Sequence, residues 1–162
     1  MNWPFTVGRV LLVVLFVFSG VQKLLDVPGT AEEIAKVGTT IAFPAAVSDA
    51  AGQVADAVKM SVPEILAICV GVVEVAAGLL IAFNILTRTA AVILLIFTAV
   101  ATFYAHDFWN MTGPDRANNM IHALKNLSIM GAFLMLAAWP RRRVVVEEPD
   151  HERVGHDRVE PL

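Results

Sequence analysis

Four stretches of this chain, residues 7–25, 62–83, 89–105 and 120–139, are apolar almost without interruption. A helix needs roughly 20 such residues to cross the ~30 Å hydrocarbon core of a bilayer. Open sheet edges are not viable in lipid, so each stretch is expected to be a helix. The third is the shortest and can draw on residues 106–109 to complete its span. The expected fold is all-α: a polytopic membrane four-helix bundle, with short amphipathic helices in the first loop.

Composition agrees. Of 162 residues, 57% are hydrophobic and 17% charged, and the mean hydropathy is +0.66, too apolar for a soluble domain of this length. The net charge of −3 says little, because the charges are clustered. The one basic run, Arg141-Arg142-Arg143, abuts an apolar helix, so no nucleic-acid surface is expected. A single cysteine, Cys69, excludes an intrachain disulfide and dithiol chemistry within one chain. Its place inside an apolar helix reads as a buried structural thiol. No small-x-small cleavage site follows the first apolar stretch, so it reads as an uncleaved membrane helix.

The first helix is expected after Trp3-Pro4-Phe5, an interfacial anchor with Pro before the first turn. Arg9, Phe16, Ser19, Gly20 and Lys23 share one stripe of it, and Arg9 and Lys23 stand near opposite ends, each within snorkelling reach of water. In the first loop, Pro28-Gly29 reads as a stop. Thr30 then reads as the N-cap of a short helix, with Glu33 at the capping-box position and Gly38 at the end. Residues 48–60 read as a second short helix, and both are expected to cover one end of the bundle. Ala67, Gly71, Glu74 and Gly78 fall on one arc of the second long helix, with Ala77 at its edge. Ala91, Thr98, Thr102 and Ala105 fall on one face of the third. Small residues so spaced let a neighbouring helix approach closely.

The join between the third and fourth long helices is the polar part. It reads His106-Asp107-Phe108-Trp109, then a Gly/Pro/Asn turn, then Asn118 through to Asn126. At about 100° per residue, Asn118, His122, Lys125 and Asn126 share one face, continued by Ile129 and Phe133. Ionisable groups at membrane depth tend to turn inward, toward protein or a wet cavity. An ion pair of Lys125 with Glu74 would keep both charged. Residues 144–162 are charged and nearly free of large apolar groups, and read as a disordered tail following a transmembrane domain of residues 1–143. With four spans both termini share a side. Arg9, Arg88 and the Arg triplet on that side favour a cytoplasmic location for both.

Two readings of the polar constellation stand side by side. It sets helix register in the bundle, or it lines an outward-facing pocket. In the second, His106 and His122 exchange protons as candidate catalytic groups, while Lys23, Glu74, Lys125 and Asn126 bind a polar head. A quinone, an apolar ring with two carbonyls, suits such a cleft. No haem, flavin or metal motif is present. His106, His122 and Asp107 are too loosely spaced for a metal signature.

Gly8-Arg9 leading through Phe16-x-Phe18-Ser19-Gly20 to Lys23-Leu24, Glu74-x-x-x-Gly78-Leu79-Leu80, Leu86-Thr87-Arg88, His106-x-Phe108-Trp109 and Lys125-Asn126-Leu127-Ser128 follow one another in an order that resembles the DoxX family of small bacterial membrane proteins. The resemblance implies a multi-pass protein of the bacterial inner membrane. It also implies an oxidoreductase or a subunit of one, in some relatives linked to thiosulfate:quinone oxidoreduction and in others to soluble redox enzymes. With no redox motif of its own, the chain is expected to borrow its electron carrier or leave the chemistry to a partner. The expected function is a membrane subunit of an oxidoreductase system that binds a quinone-like molecule. The alternatives are a scaffold that docks soluble redox or stress-defence partners, and a small transporter suggested by Glu74.

Overall fold

A computed structural model describes residues 3–38 and 45–139. The expected tail and the Arg triplet lie outside the described residues. Six α-helices are described: α1 (Trp3–Leu25), α2 (Val27–Gly38), α3 (Ala45–Val58), α4 (Val62–Ala82), α5 (Thr87–Ala105) and α6 (Gly113–Ala138), with a 3-10 turn at Phe108–Asn110 before α6. Four of them, with α5 extended through the 3-10 turn, are long and apolar enough to cross a membrane. Their outer faces carry exposed Leu11, Phe18, Ile96, Phe103, Leu127 and Met135. A soluble protein would have to hide such surface, whereas lipid accepts it.

The helices pack as two pairs, α1 with α4 and α5 with α6, joined through α4 and α5. The small-residue arc of α4 is buried as expected: Ala67, Gly71, Glu74, Ala77 and Gly78 all face inward. A Cβ built on Gly20 would lie 2.7 Å from the Gly71 carbonyl oxygen, and one on Gly78 would lie 2.8 Å from Val17 Cγ2. Glycine therefore lets the two backbones touch. The apolar core is built from Val13, Phe16, Ile81, Ala90, Leu94, Phe133 and their neighbours. The Phe16 and Phe133 rings close it at 5.3 Å. It fills the half of the bundle toward the start of α1 and the end of α6, where Arg9 is the buried charged residue, and Lys23, Glu74 and the histidines lie in the other half.

Local sequence sets the helix ends. α4 begins in a capping box: the Ser61 N–H donates to Glu64 Oε2 at 2.7 Å and the Glu64 N–H donates back to Ser61 Oγ at 3.4 Å. α2 begins earlier than expected. Asp26 caps it by accepting the Gly29 N–H at 3.0 Å, and Pro28 sits in the first turn, where its missing N–H has no partner to lose. Thr30 is thus buried inside the helix, not at its cap. α2 lies against α4, with a smaller contact to α1, and α3 also touches α4. Cys69 is exposed on the outer face of α4, not buried. The buried arc of small residues already occupies the inner face.

Candidate functional site

Among the described residues Glu74 is the buried acid, with its side chain only 4% exposed. Its partner is Lys23, at 2.9 Å between Nζ and Oε2. Lys23 Nζ also donates to Ser19 Oγ at 2.5 Å. The expected partner, Lys125, is instead exposed on α6. The reason lies in the α1–α4 seam. Because Gly20 lets α1 touch α4 beside Glu74, the residue just before it, Ser19, and the one three after, Lys23, are carried to the carboxylate. Ser19 and Lys23 are four apart on one helix, so they share a face. That spacing was visible in the sequence, although the partner helix was not.

Lys23 keeps a quarter of its side chain exposed, on the wall of a cleft of about 610 Å³ between α1 and α2. Phe18, Ser19, Gln22, Asp26 and Thr30 contribute to that wall, which is about half polar. An ammonium has three N–H donors. Two are spent on Ser19 and Glu74, and one remains for a ligand.

The histidines form a second cluster, on α5 and α6. The rings of His106 and His122 stack at 5.2 Å between centroids and 12° between planes. Asn119 orients the pair. Its amide nitrogen donates to the Asp115 carbonyl at 3.1 Å, so its oxygen faces His106 Nδ1 at 3.0 Å and accepts the ring proton there. Rings stacked face to face do not aim their nitrogens at one point, and among the described residues no three His, Cys, Asp or Glu side chains cluster as a metal would require. Asn126 turns inward and donates to Thr102 Oγ1 at 2.9 Å. Thr102 and Thr98 each donate to the carbonyl four residues earlier, at 2.6 Å. Asn126 therefore ties α6 to α5 through a hydroxyl whose own proton is already used.

The constellation is thus two clusters rather than one. α6 begins at Gly113, seven residues before its expected start, and the face it buries is that of Ala123, Phe133 and Leu136. Asn118, His122 and Lys125 lie outside that face and are exposed. Asn118 stands in the added turns, where a polar side chain finds water. Asn119 and Ser19 were not singled out as site residues, although Asn119 lies three positions before His122 and Ser19 four before Lys23.

The family model for DoxX matches residues 5–107, which include most of α1, all of α4 and α5, and Lys23, Glu74 and His106. The chain belongs to the DoxX family. A relative from Escherichia coli (strain K12), named inner membrane protein YphA, is 31% identical over 131 residues, 81% of this chain and 79% of the relative. No solved structure matches. As a DoxX protein the chain is a membrane protein, and the matched region contains both partners of the buried ion pair.

Proposed function

We propose that this DoxX protein is the membrane subunit of an oxidoreductase system, and that it holds a quinone-like redox molecule in the cleft between α1 and α2. The observation that carries the proposal is the third donor of Lys23. Glu74 and Ser19 hold the ammonium in place at 2.9 and 2.5 Å, and the cleft brings a ligand to it. A quinone carbonyl accepts that N–H, while Phe18 lies along the ring. The volume falls within the ~300–1,000 Å³ usual for small-ligand sites. Electrons come from a partner, because the chain has no carrier motif of its own. Lys23, held in place by Glu74 and Ser19, orients the head and stabilises negative charge as the carbonyl is reduced. His106 and His122 exchange protons with water at the same end of the bundle, and exposed Lys125 and the Asn126 tie belong to that second cluster.

The named relative and the four spans support placement in a bacterial inner membrane. In the sequence, Arg9, Arg88 and the run Arg141-Arg142-Arg143 outweigh Lys23, Lys36, Lys59 and Arg116 on the other side, which supports a cytoplasmic location for the end shared by both termini. The cleft then opens outward. A reporter that fluoresces only in the cytoplasm, fused after Leu162, lights up on this reading and stays dark if the chain is inverted. The ligand is tested with a photoreactive quinone on the purified protein. Labelling of α1–α2 peptides that is lost in Lys23→Met supports the proposal. Equal labelling of both proteins, or none, rejects it.

A further inference from the structure

Arg9 belongs to neither cluster. It lies at the opposite end of the bundle and is only 4% exposed, so it does not snorkel to water as expected. Its Nε and Nη1 are buried without a hydrogen-bond partner. A guanidinium stays charged in any protein environment, and a buried charge needs a partner. The Phe5 ring, 5.4 Å from Cζ, offers a cation–π contact only.

Beside Arg9 lies a cavity of about 540 Å³ between α1 and α6. Its walls, including Phe5, Gly8, Leu12, Leu136 and Trp139, are almost wholly apolar. A Cβ added to Gly8 would meet nothing within 4 Å, so the missing side chain widens the groove. Phe5 and Trp139 close its upper edge, with ring centroids 4.8 Å apart. Exposed Trp3 and Trp139 mark this end as the headgroup level, and the Arg9 guanidinium folds back toward it over Phe5. Arg88 stands at the same end and donates to the Trp139 carbonyl.

An apolar groove that opens beside an uncompensated cation at headgroup depth matches one kind of molecule. We infer that the α1–α6 groove holds an anionic phospholipid, with its phosphate on the Arg9 N–H groups and an acyl chain along Leu12 and Leu136. A guanidinium and a phosphate diester can pair through two parallel hydrogen bonds. A net anionic headgroup is favoured over a zwitterionic one, because among the described residues no acid pairs with Arg9.

The test uses the full chain, purified, stripped of lipid and returned to vesicles of phosphatidylglycerol and phosphatidylcholine in equal amounts. Lipid that remains bound after extraction into mild detergent is counted by native mass spectrometry. Phosphatidylglycerol should be retained in preference. Arg9→Gln should lower its occupancy by about tenfold, on the scale of one charge-assisted hydrogen bond. Gly8→Leu, which keeps the charge and fills the groove, should lower it as well and covers the case in which Arg9→Gln fails to fold. Inorganic phosphate should not compete. Equal retention of both lipids, unchanged occupancy in both variants, or displacement by inorganic phosphate would each overturn the inference. So would phosphatidylglycerol binding that appears only after removal of residues 144–162, since acids of the chain itself would then be filling the site.

Discussion

Replacing Gly20 with alanine tests the seam that creates the ion pair. The added Cβ would stand 2.7 Å from the Gly71 carbonyl oxygen, 2.8 Å from Val75 Cγ2 and 2.9 Å from Glu74 Cβ. Ordinary van der Waals contact begins near 3.4 Å, so α1 and α4 must part by about 0.7 Å. The closest obstacle is backbone and cannot rotate away. Overpacking of this kind costs about 1–3 kcal/mol. The same separation applied to the 2.9 Å contact between Lys23 and Glu74 carries it to about 3.6 Å, beyond hydrogen-bond range. Gly8→Ala and Gly131→Ala are the controls, because a Cβ at either meets nothing within 4 Å. Each should be neutral or stabilising by up to about 1 kcal/mol, through helix propensity. Stability is read from reversible unfolding in mixed detergent and SDS micelles, followed by circular dichroism. A Gly20→Ala protein as stable as the two controls would refute the close approach of α1 and α4.

Lys23→Met leaves Glu74 buried without its cation and should destabilise by about 3 kcal/mol, at the lower end for a broken buried pair because Lys23 is partly exposed. Adding Glu74→Leu should recover most of the loss, and a double variant weaker than the single one would contradict the pairing. Ser61→Ala removes the capping box of α4 and should cost about 1 kcal/mol in the same unfolding assay, where no change would show the cap to be idle. In native membranes Cys69 should resist a charged, water-soluble maleimide and react with it only after solubilisation in SDS, because a thiol facing lipid stays protonated. Rapid labelling in intact membranes would place this face of α4 in water.

The helices were legible because crossing a membrane demands long apolar runs, and the arc of Ala67, Gly71, Glu74 and Gly78 marked the packed face of α4 without any partner in view. The pairing of Glu74 was not legible. Lys23 and Lys125 both lie within reach in a schematic bundle, and only the contact of Gly20 with Gly71 decides between them. The start of α2 was hidden because Pro28-Gly29 resembles a stop, whereas a proline in the first turn disturbs nothing when Asp26 caps the helix. The rotation of α6 was misread for a related reason. His122 and Lys125 looked too polar to face outward, yet the helix begins seven residues earlier, so water lies nearer to them than the apolar run alone implied. Arg9 shared its stripe with Phe16 and Gly20, both buried. That stripe, rather than the distance of Arg9 from the helix end, was the better guide to where its side chain goes.

The most direct measurement is the affinity of the purified protein for a short-chain quinone, with wild type compared to Lys23→Met/Glu74→Leu, the variant that keeps the seam packed while removing both charges. Binding that weakens at least tenfold in the variant, while unfolding stability stays close to wild type, is the result expected if Lys23 holds the quinone head. Equal affinity in both proteins would show that the ion pair only joins α1 to α4 and that any redox molecule sits elsewhere.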